Sequence, residues 1–203
     1  MSPRPRKASD EDLLAAAYRV MRRVAPSELT LAAIAKEAGV TAGLLVQRFG
    51  SKRGLLIQLA DGAAESSTGF LDGIRAAHSS PLSALRAYVD CMAELASSPA
   101  VFVRNLAYLQ DDLTDPMLRK RLEKQARLTR AGLQSIIEDA VAARELTAAT
   151  NAKSLARTIE AIISGSMMTW AFYRRGTAVS WMREDLEAVL TPYRRDKKTK
   201  SVS

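Results

Sequence analysis

Apolar residues recur every three to four positions along most of the chain, and alternation with period two is essentially absent. That pattern predicts amphipathic helices rather than strands, so the fold class is all-α. Leu13, Ala17, Val20, Met21 and Val24 lie at helical spacing behind Ser9-x-x-Asp12, a capping-box pattern, and this first helix stops before Pro26. Ser80-Pro81, Ser98-Pro99 and Asp115-Pro116 each put a capping side chain directly before a proline. The cap oxygen accepts an orphan backbone N–H, and proline lacks the N–H that would go unpaired. They predict helices over 81–97, 99–110 and 116–143. Further helices are expected over 52–77, 150–174 and 179–191, with Arg175-Gly176 as a glycine stop. Gly54, Gly62, Gly69 and Gly73 weaken the segment 52–77, at about 1 kcal/mol for each interior glycine. The uncharged stretch from Ala161 to Tyr173 falls short of the ~20 residues a membrane span needs and reads as a buried helix. Acidic residues follow the basic start, so no secretory leader is expected.

Residues 30–52 read TLAAIAKEAGVTAGLLVQRFGSK. Thr30 caps a short helix whose apolar face is Leu31, Ile34, Ala35 and Ala38. Gly39 supplies the positive φ of a sharp turn, and Val40 plugs the gap between two helices. Thr41 caps a second short helix, with Leu45 and Phe49 facing inward. Two short helices joined by a glycine-bearing turn form the helix-turn-helix layout, although a helical hairpin in a core has the same spacing.

Charge favours the first alternative. The chain has 203 residues and a net charge of +8. Residues 1–60 hold 10 Lys/Arg against 5 Asp/Glu, residues 61–192 hold 15 against 16, and residues 193–203 hold 5 against 1. A basic front on a balanced body is the footprint of a nucleic-acid-binding module carried by a second domain. Lys36, Arg48, Lys52 and Arg53 place part of that charge on the helix-turn-helix itself. One cysteine, Cys91, and one histidine, His78, exclude a disulfide framework, a multi-cysteine zinc site and any histidine pair. Cys91 reads as a small buried apolar residue and His78 as a surface one. No nucleophile–base pair or phosphate-cradling glycine loop is visible, so no metal, cofactor or enzymatic activity is expected.

Ile34-Ala35-x-x-Ala38-Gly39-Val40-Thr41-x-Gly43-x-Leu45, followed by Phe49-x-x-Lys52-x-x-Leu55, resembles the N-terminal domain of TetR/AcrR-type transcriptional regulators over about residues 9–60. The resemblance implies an N-terminal three-helix DNA-binding domain, a connecting fourth helix and a C-terminal helical bundle for ligand binding and dimerisation. It also implies a homodimeric repressor on a palindromic operator in the bacterial cytoplasm, associated with the nucleoid and released by a small-molecule effector. An activator or global regulator without an effector, and an enzyme with an attached DNA-binding module, are the alternatives. The expected segments are a disordered basic arm over 1–8 carrying Arg4, Arg6 and Lys7, a DNA-binding domain over 9–52, an effector and dimerisation domain over 53–192, and a disordered basic tail over 193–203. The sequence departs from the family pattern at Val46, where tyrosine is usual, and at Arg48, where histidine or another aromatic is usual.

With the second short helix in the major groove, its outer face carries Thr41, Ala42, Gly43, Leu44, Gln47 and Arg48. Gln47 suits adenine, Arg48 suits guanine or a phosphate, and Ala42 or Leu44 can meet a thymine methyl. Thr30, Thr41 and Lys52 are the expected phosphate contacts. Phe70, Tyr88, Met92, Phe102, Leu106, Tyr108, Met167 and Trp170 are candidates for an effector pocket, with core packing as the alternative. Ile159, Ile162, Ile163, Ser166 and Met167 on one late helix, with Leu186, Val189 and Leu190 on the next, are the expected dimer interface. Gly165 would allow close helix approach there.

Overall fold

The computed structural model of the protein describes residues 8–195, so the arm residues Arg4, Arg6 and Lys7 and the tail beyond Arg195 lie outside the described residues. Among the described residues nine α-helices follow one another: α1 Asp10–Met21, α2 Leu31–Ala38, α3 Ala42–Phe49, α4 Lys52–Ala77, α5 Pro81–Glu94, α6 Pro99–Thr114, α7 Pro116–Ala142, α8 Ala152–Tyr173 and α9 Ala178–Leu190. The start signals act as their chemistry requires. Ser9 and Asp12 close a reciprocal capping box, and so do Ser80 and Ser83. The Ser98 hydroxyl oxygen accepts from the Val101 amide at 3.2 Å, and the Asp115 carboxylate accepts from the Met117 amide at 2.8 Å. α6 runs on past residue 110 to Thr114, up to the cap at Asp115.

The stop of α8 falls one residue before the predicted pair. Arg174 takes the left-handed conformation at φ 53°. The Trp170 indole donates to the Gly176 carbonyl at 3.3 Å and the Trp181 indole to the Arg175 carbonyl at 2.7 Å. Two tryptophans thus satisfy backbone carbonyls of the connection between α8 and α9.

Internal contacts divide the chain into two compact units. One comprises the chain up to Glu65 together with Val103–Gln125, and the other comprises Ser66–Phe102 and the chain from Ala126 onward. The first unit extends beyond the expected segment 9–52 because its core draws on later residues. Leu13, Ala16, Ala17, Val20, Leu29, Ile34, Ala35, Leu45 and Phe49 share one buried cluster with Leu55, Leu59 and Tyr108. Burial of each large apolar side chain there stabilises the unit by about 1.5–3 kcal/mol. Arg53 of α4 is tied to Asp115 at 2.5 and 3.0 Å, Arg121 of α7 pairs with Asp61 at 2.8 Å, and Arg104 of α6 donates to the Arg22 carbonyl at 2.5 Å.

Two glycines in this unit are demanded by geometry. Gly39 ends α2 at φ 68°, and the following Val40 amide returns to the Ala35 carbonyl at 2.9 Å, the bond that turns the chain into α3. At Gly54 a Cβ atom would stand 2.0 Å from the Phe49 carbonyl oxygen, so only glycine lets α4 begin against the end of α3. Gly54 is therefore a requirement of the turn and not merely a weak point in a helix. A Cβ at Gly62, Gly69 or Gly73 would meet nothing within 4 Å, so no neighbour requires those glycines.

In the second unit α9 lies against α8 and α5. Leu85, Leu133, Ile136, Ile137, Leu155, Ile159, Met182 and Leu186 are fully buried. Arg183 holds Asp90 with two bonds of 2.6 and 2.7 Å, and Arg86 holds Glu187 at 2.6 Å. Tyr193 and Arg194, at the start of the expected tail, are tied to the second unit. The Tyr193 carbonyl accepts from the Thr147 amide at 2.8 Å, and Arg194 bridges to Leu146 and pairs with Glu187.

Gly54→Ala should lower the unfolding free energy by about 1–3 kcal/mol, because the added methyl meets fixed backbone. Gly62→Ala should instead raise it by about 0.5–1 kcal/mol through the unfolded chain's lost freedom. Urea unfolding of the two variants and the parent at one protein concentration measures both.

Candidate nucleic-acid interface

α3 has eight residues, and two of them hold it in place. Leu45 is fully buried and Phe49 is 9% exposed. At about 100° per residue, the direction opposite this pair is that of Gln47 and Gly43, with Arg48 and Val46 on the flanks. The structure agrees: Thr41, Ala42, Gly43, Val46, Gln47 and Arg48 are exposed, while Leu44 is half-buried. Val46 is 50% exposed and belongs to the outer surface, from which the sequence reading omitted it. The same angular arithmetic finds it. A Cβ at Gly43 would lie 3.9 Å from Thr41 Oγ1 and otherwise meet nothing, so the outer surface of α3 is open to a second molecule there.

The two threonine caps are exposed and already engaged. Thr30 Oγ1 accepts from the Ala33 amide at 3.1 Å, and Thr41 Oγ1 accepts from the Leu44 amide at 3.3 Å. Each still has its own O–H proton to donate. The remaining amides of each first turn point outward with the positive end of the helix dipole, which is anion-binding chemistry.

The basic residues are less available than their count suggests. Arg48 Nη1 donates to Asp10 Oδ1 at 3.1 Å. Lys52 Nζ donates to the Pro26 carbonyl at 2.9 Å, which fastens the α1–α2 loop. Arg53, held by Asp115, is committed to the unit's own structure. Arg19 and Arg23 both grip Glu37, the first at 2.7 Å. Those two guanidinium groups, Arg19 first, hold the Glu37 carboxyl below its ordinary value. Arg53 likewise draws the Asp115 carboxyl down from 3.8 to about 2. Lys36 and Arg22 are exposed, and neither side chain has a partner among the described residues.

The expected effector residues are not brought together. Tyr108 belongs to the core of the first unit, where its hydroxyl donates to the Val24 carbonyl at 3.1 Å. Burial pushes it up to about 12. Leu106 is half-buried in the same unit. In the second unit Phe70 and Tyr88 meet with ring centroids 6.3 Å apart, Phe70 exposed and Tyr88 buried. Phe102 and Trp170 are buried, whereas Met92 and Met167 are half-buried. None of the eight lines either described cavity. Cys91 is half-buried rather than buried, and burial raises its thiol. Among the described residues no cluster of His, Cys, Asp or Glu could hold a metal, and no helix is long and apolar enough to cross a membrane.

The expected dimer residues divide between the interior of the protomer and an open side of α8. Ile159, Ile163, Ser166, Leu186 and Leu190 are buried inside the protomer, and Val189 is half-buried. Their helical spacing marks the faces with which α8 and α9 meet their own core, and Ser166 Oγ donates to Asp185 of α9 at 2.5 Å. The open side of α8 carries other residues. Arg157, Thr158, Ala161 and Thr169 line an open cavity of about 570 Å³ with Ser154 and Asp185, and Ile162, Gly165 and Ser166 of the expected set line it too. A Cβ at Gly165 would meet nothing within 4 Å.

Residues 13–59 match the family model of the bacterial regulatory proteins of the tetR family, and residues 81–186 match that of the tetracyclin repressor-like C-terminal domain. No curated protein matches the chain at a significant level. Solved structures do. A TetR transcription regulator from Haloarcula marismortui is 17% identical, with 92% of this chain and 98% of that one covered and a TM-score of 0.75. SmeT, the repressor of the Stenotrophomonas maltophilia multidrug efflux pump SmeDEF, is 18% identical, with 94% and 93% covered and a TM-score of 0.68. The transcriptional regulator FadR from Bacillus subtilis, in complex with stearoyl-CoA, is 19% identical, with 90% and 98% covered and a TM-score of 0.67. At these identities the likeness is one of fold.

The Arg53–Asp115 pair has a defined pH signature. Asp115 is depressed in the folded state, so its contribution is complete above the ordinary value of 3.8 and is lost as pH falls toward about 2. Asp115→Asn should lower the thermal midpoint near neutral pH and flatten its fall in acid. Melting curves of variant and parent from neutral pH down to about 2 check this.

Proposed function

The chain belongs to the tetR family of bacterial regulatory proteins, which are DNA-binding transcription regulators, and on that premise we propose that it is a homodimeric repressor. Its two α3 helices read the half-sites of a palindromic operator in the cytoplasm, on the nucleoid, and a small-molecule effector releases them. The observation that carries this reading is the division of α3. Leu45 and Phe49 are anchored in the core, while Gly43, Gln47 and Arg48 face outward behind the exposed cap Thr41. A helix so mounted suits the major groove, with its N-terminal end toward the bases. Gln47 and Arg48 supply base-edge donors and acceptors, Thr30 and Thr41 supply phosphate contacts, and Lys52 adds charge beside them.

The partner copy is assigned to the open side of α8. That side is exposed at Arg157, Thr158, Ala161 and Gly165, and small side chains along it let two helices approach closely. Phe172, 74% exposed near the end of α8, supplies apolar area on the same helix. An effector is supported by the fold shared with a repressor of an efflux pump and with a regulator that holds stearoyl-CoA. In the second unit the Phe70–Tyr88 pair is the place where we expect it to be met.

Footprinting on the operator should show protection confined to one palindrome, and Arg48→Ala should weaken binding by about 1–3 kcal/mol in band shifts at fixed salt. Unchanged affinity would remove Arg48 from the interface. In sedimentation at micromolar concentration the parent should be a dimer and Gly165→Arg a monomer with unaltered helix content. A monomeric parent would count against the α8 assignment.

A further inference from the structure

The Asp10–Arg48 bond spans 38 positions in the chain and joins the first residue of α1 to the outer flank of α3. The Arg48 side chain is 41% exposed and that of Asp10 is 54% exposed. A pair so wet contributes little to folding stability, so fold maintenance does not account for it. Its geometry suits another task. A guanidinium has five N–H donors fixed in one plane. Here one of them, on Nη1, is taken by Asp10 Oδ1 at 3.1 Å, and Nε and Nη2 have no partner among the described residues. Pinning one nitrogen to a carboxylate restricts the rotation of the plane and leaves the Nε–Nη2 edge as two parallel donors. That edge matches the two acceptors that guanine presents in the major groove, N7 and O6.

Charge argues in the same direction. A carboxylate beside a DNA-facing helix repels phosphates and lowers affinity for every duplex alike. It also cancels the charge by which Arg48 would attract a phosphate. Asp10 therefore works against a phosphate contact by Arg48 and in favour of a directed base contact. We infer that Asp10 is a positioning residue that aims Arg48 at a guanine in each operator half-site. This rests on the reading of α3 as the recognition helix.

The test is selection of binding sites by the full-length protein from a pool of randomised duplexes, with the parent, Arg48→Ala and Asp10→Ala run side by side. Circular dichroism confirms that each variant is folded. The parent should select a palindrome with guanine at one position of each half-site. Both variants should lose that preference and keep the rest of the site. Competition between the selected duplex and one with that guanine replaced should show about five- to 150-fold discrimination for the parent and little for either variant. Asp10→Ala should also bind unselected duplex more tightly than the parent, because a negative charge has gone. Guanine discrimination retained in Asp10→Ala overturns the inference and makes Asp10 a mere screen of Arg48. Loss of preference across the whole site in that variant overturns it too. If the parent selects no sequence at all, the reading of α3 itself fails and takes the inference with it.

Discussion

An eight-residue helix cannot persist alone in water, because nucleation costs more than its few internal bonds return. α3 exists because Leu45 and Phe49 are set into a cluster built by α1, α2, the start of α4 and Tyr108 of α6. Everything the outer surface can do depends on that anchorage. Gly54 allows the next helix to start against the Phe49 carbonyl, so the anchor is gripped from its far end as well. The caps at Thr30 and Thr41 and the turn at Gly39 fix where each short helix begins and ends. With its buried side fixed, the direction of the exposed side follows from helical geometry alone.

Electrostatics divides the basic residues into two populations. Arg19, Arg23, Arg53 and Arg121 are matched by carboxylates of the same unit, and Arg104 and Lys52 are spent on backbone carbonyls. These contacts hold helices and loops together, yet Arg104 and Lys52 keep their full charge, because a carbonyl is neutral, and Arg19 and Arg23 share a single carboxylate. The attraction falls to Arg22, Lys36, Lys52 and Arg104, to the two helix N-termini, and to whatever Arg48 presents beyond Asp10. A net charge summed over the sequence already subtracts the carboxylates of these pairs, so what it leaves out is where the unmatched cations lie.

Most helix boundaries were legible in the sequence because their signals are local. Serine or aspartate before proline, a capping box or a threonine cap each acts within four residues, and the structure uses every one of them. The membership of cores was not legible to the same degree. The stripe Ile159, Ile163, Ser166 marks one buried face of α8, but periodicity cannot say whether the burying partner is α9 of the same chain or a second copy. Tyr108 is ambiguous for a related reason. An aromatic on an amphipathic helix looks the same whether it faces an effector or a neighbouring core, and the bond to the Val24 carbonyl spans 84 positions. The Arg53–Asp115 and Asp10–Arg48 pairs, 62 and 38 positions apart, likewise carry no local trace. Val46, by contrast, is readable from helical angles, since it lies about 100° from Gln47 on the flank of the outer face.

The hydroxyls at Thr30 and Thr41 carry two obligations at once. Each oxygen accepts from its own helix, and each proton remains for an external acceptor. Aspartate would cap these helices about as well, since capping asks only for an acceptor. It would have no proton to give, and would set a negative charge at the positions we propose as phosphate contacts. Folding tolerates either residue at these positions, whereas a polyanionic partner tolerates only the hydroxyl. Sequence drift here is therefore filtered by binding and not by stability: a chain could lose its target through a change that leaves its melting curve intact.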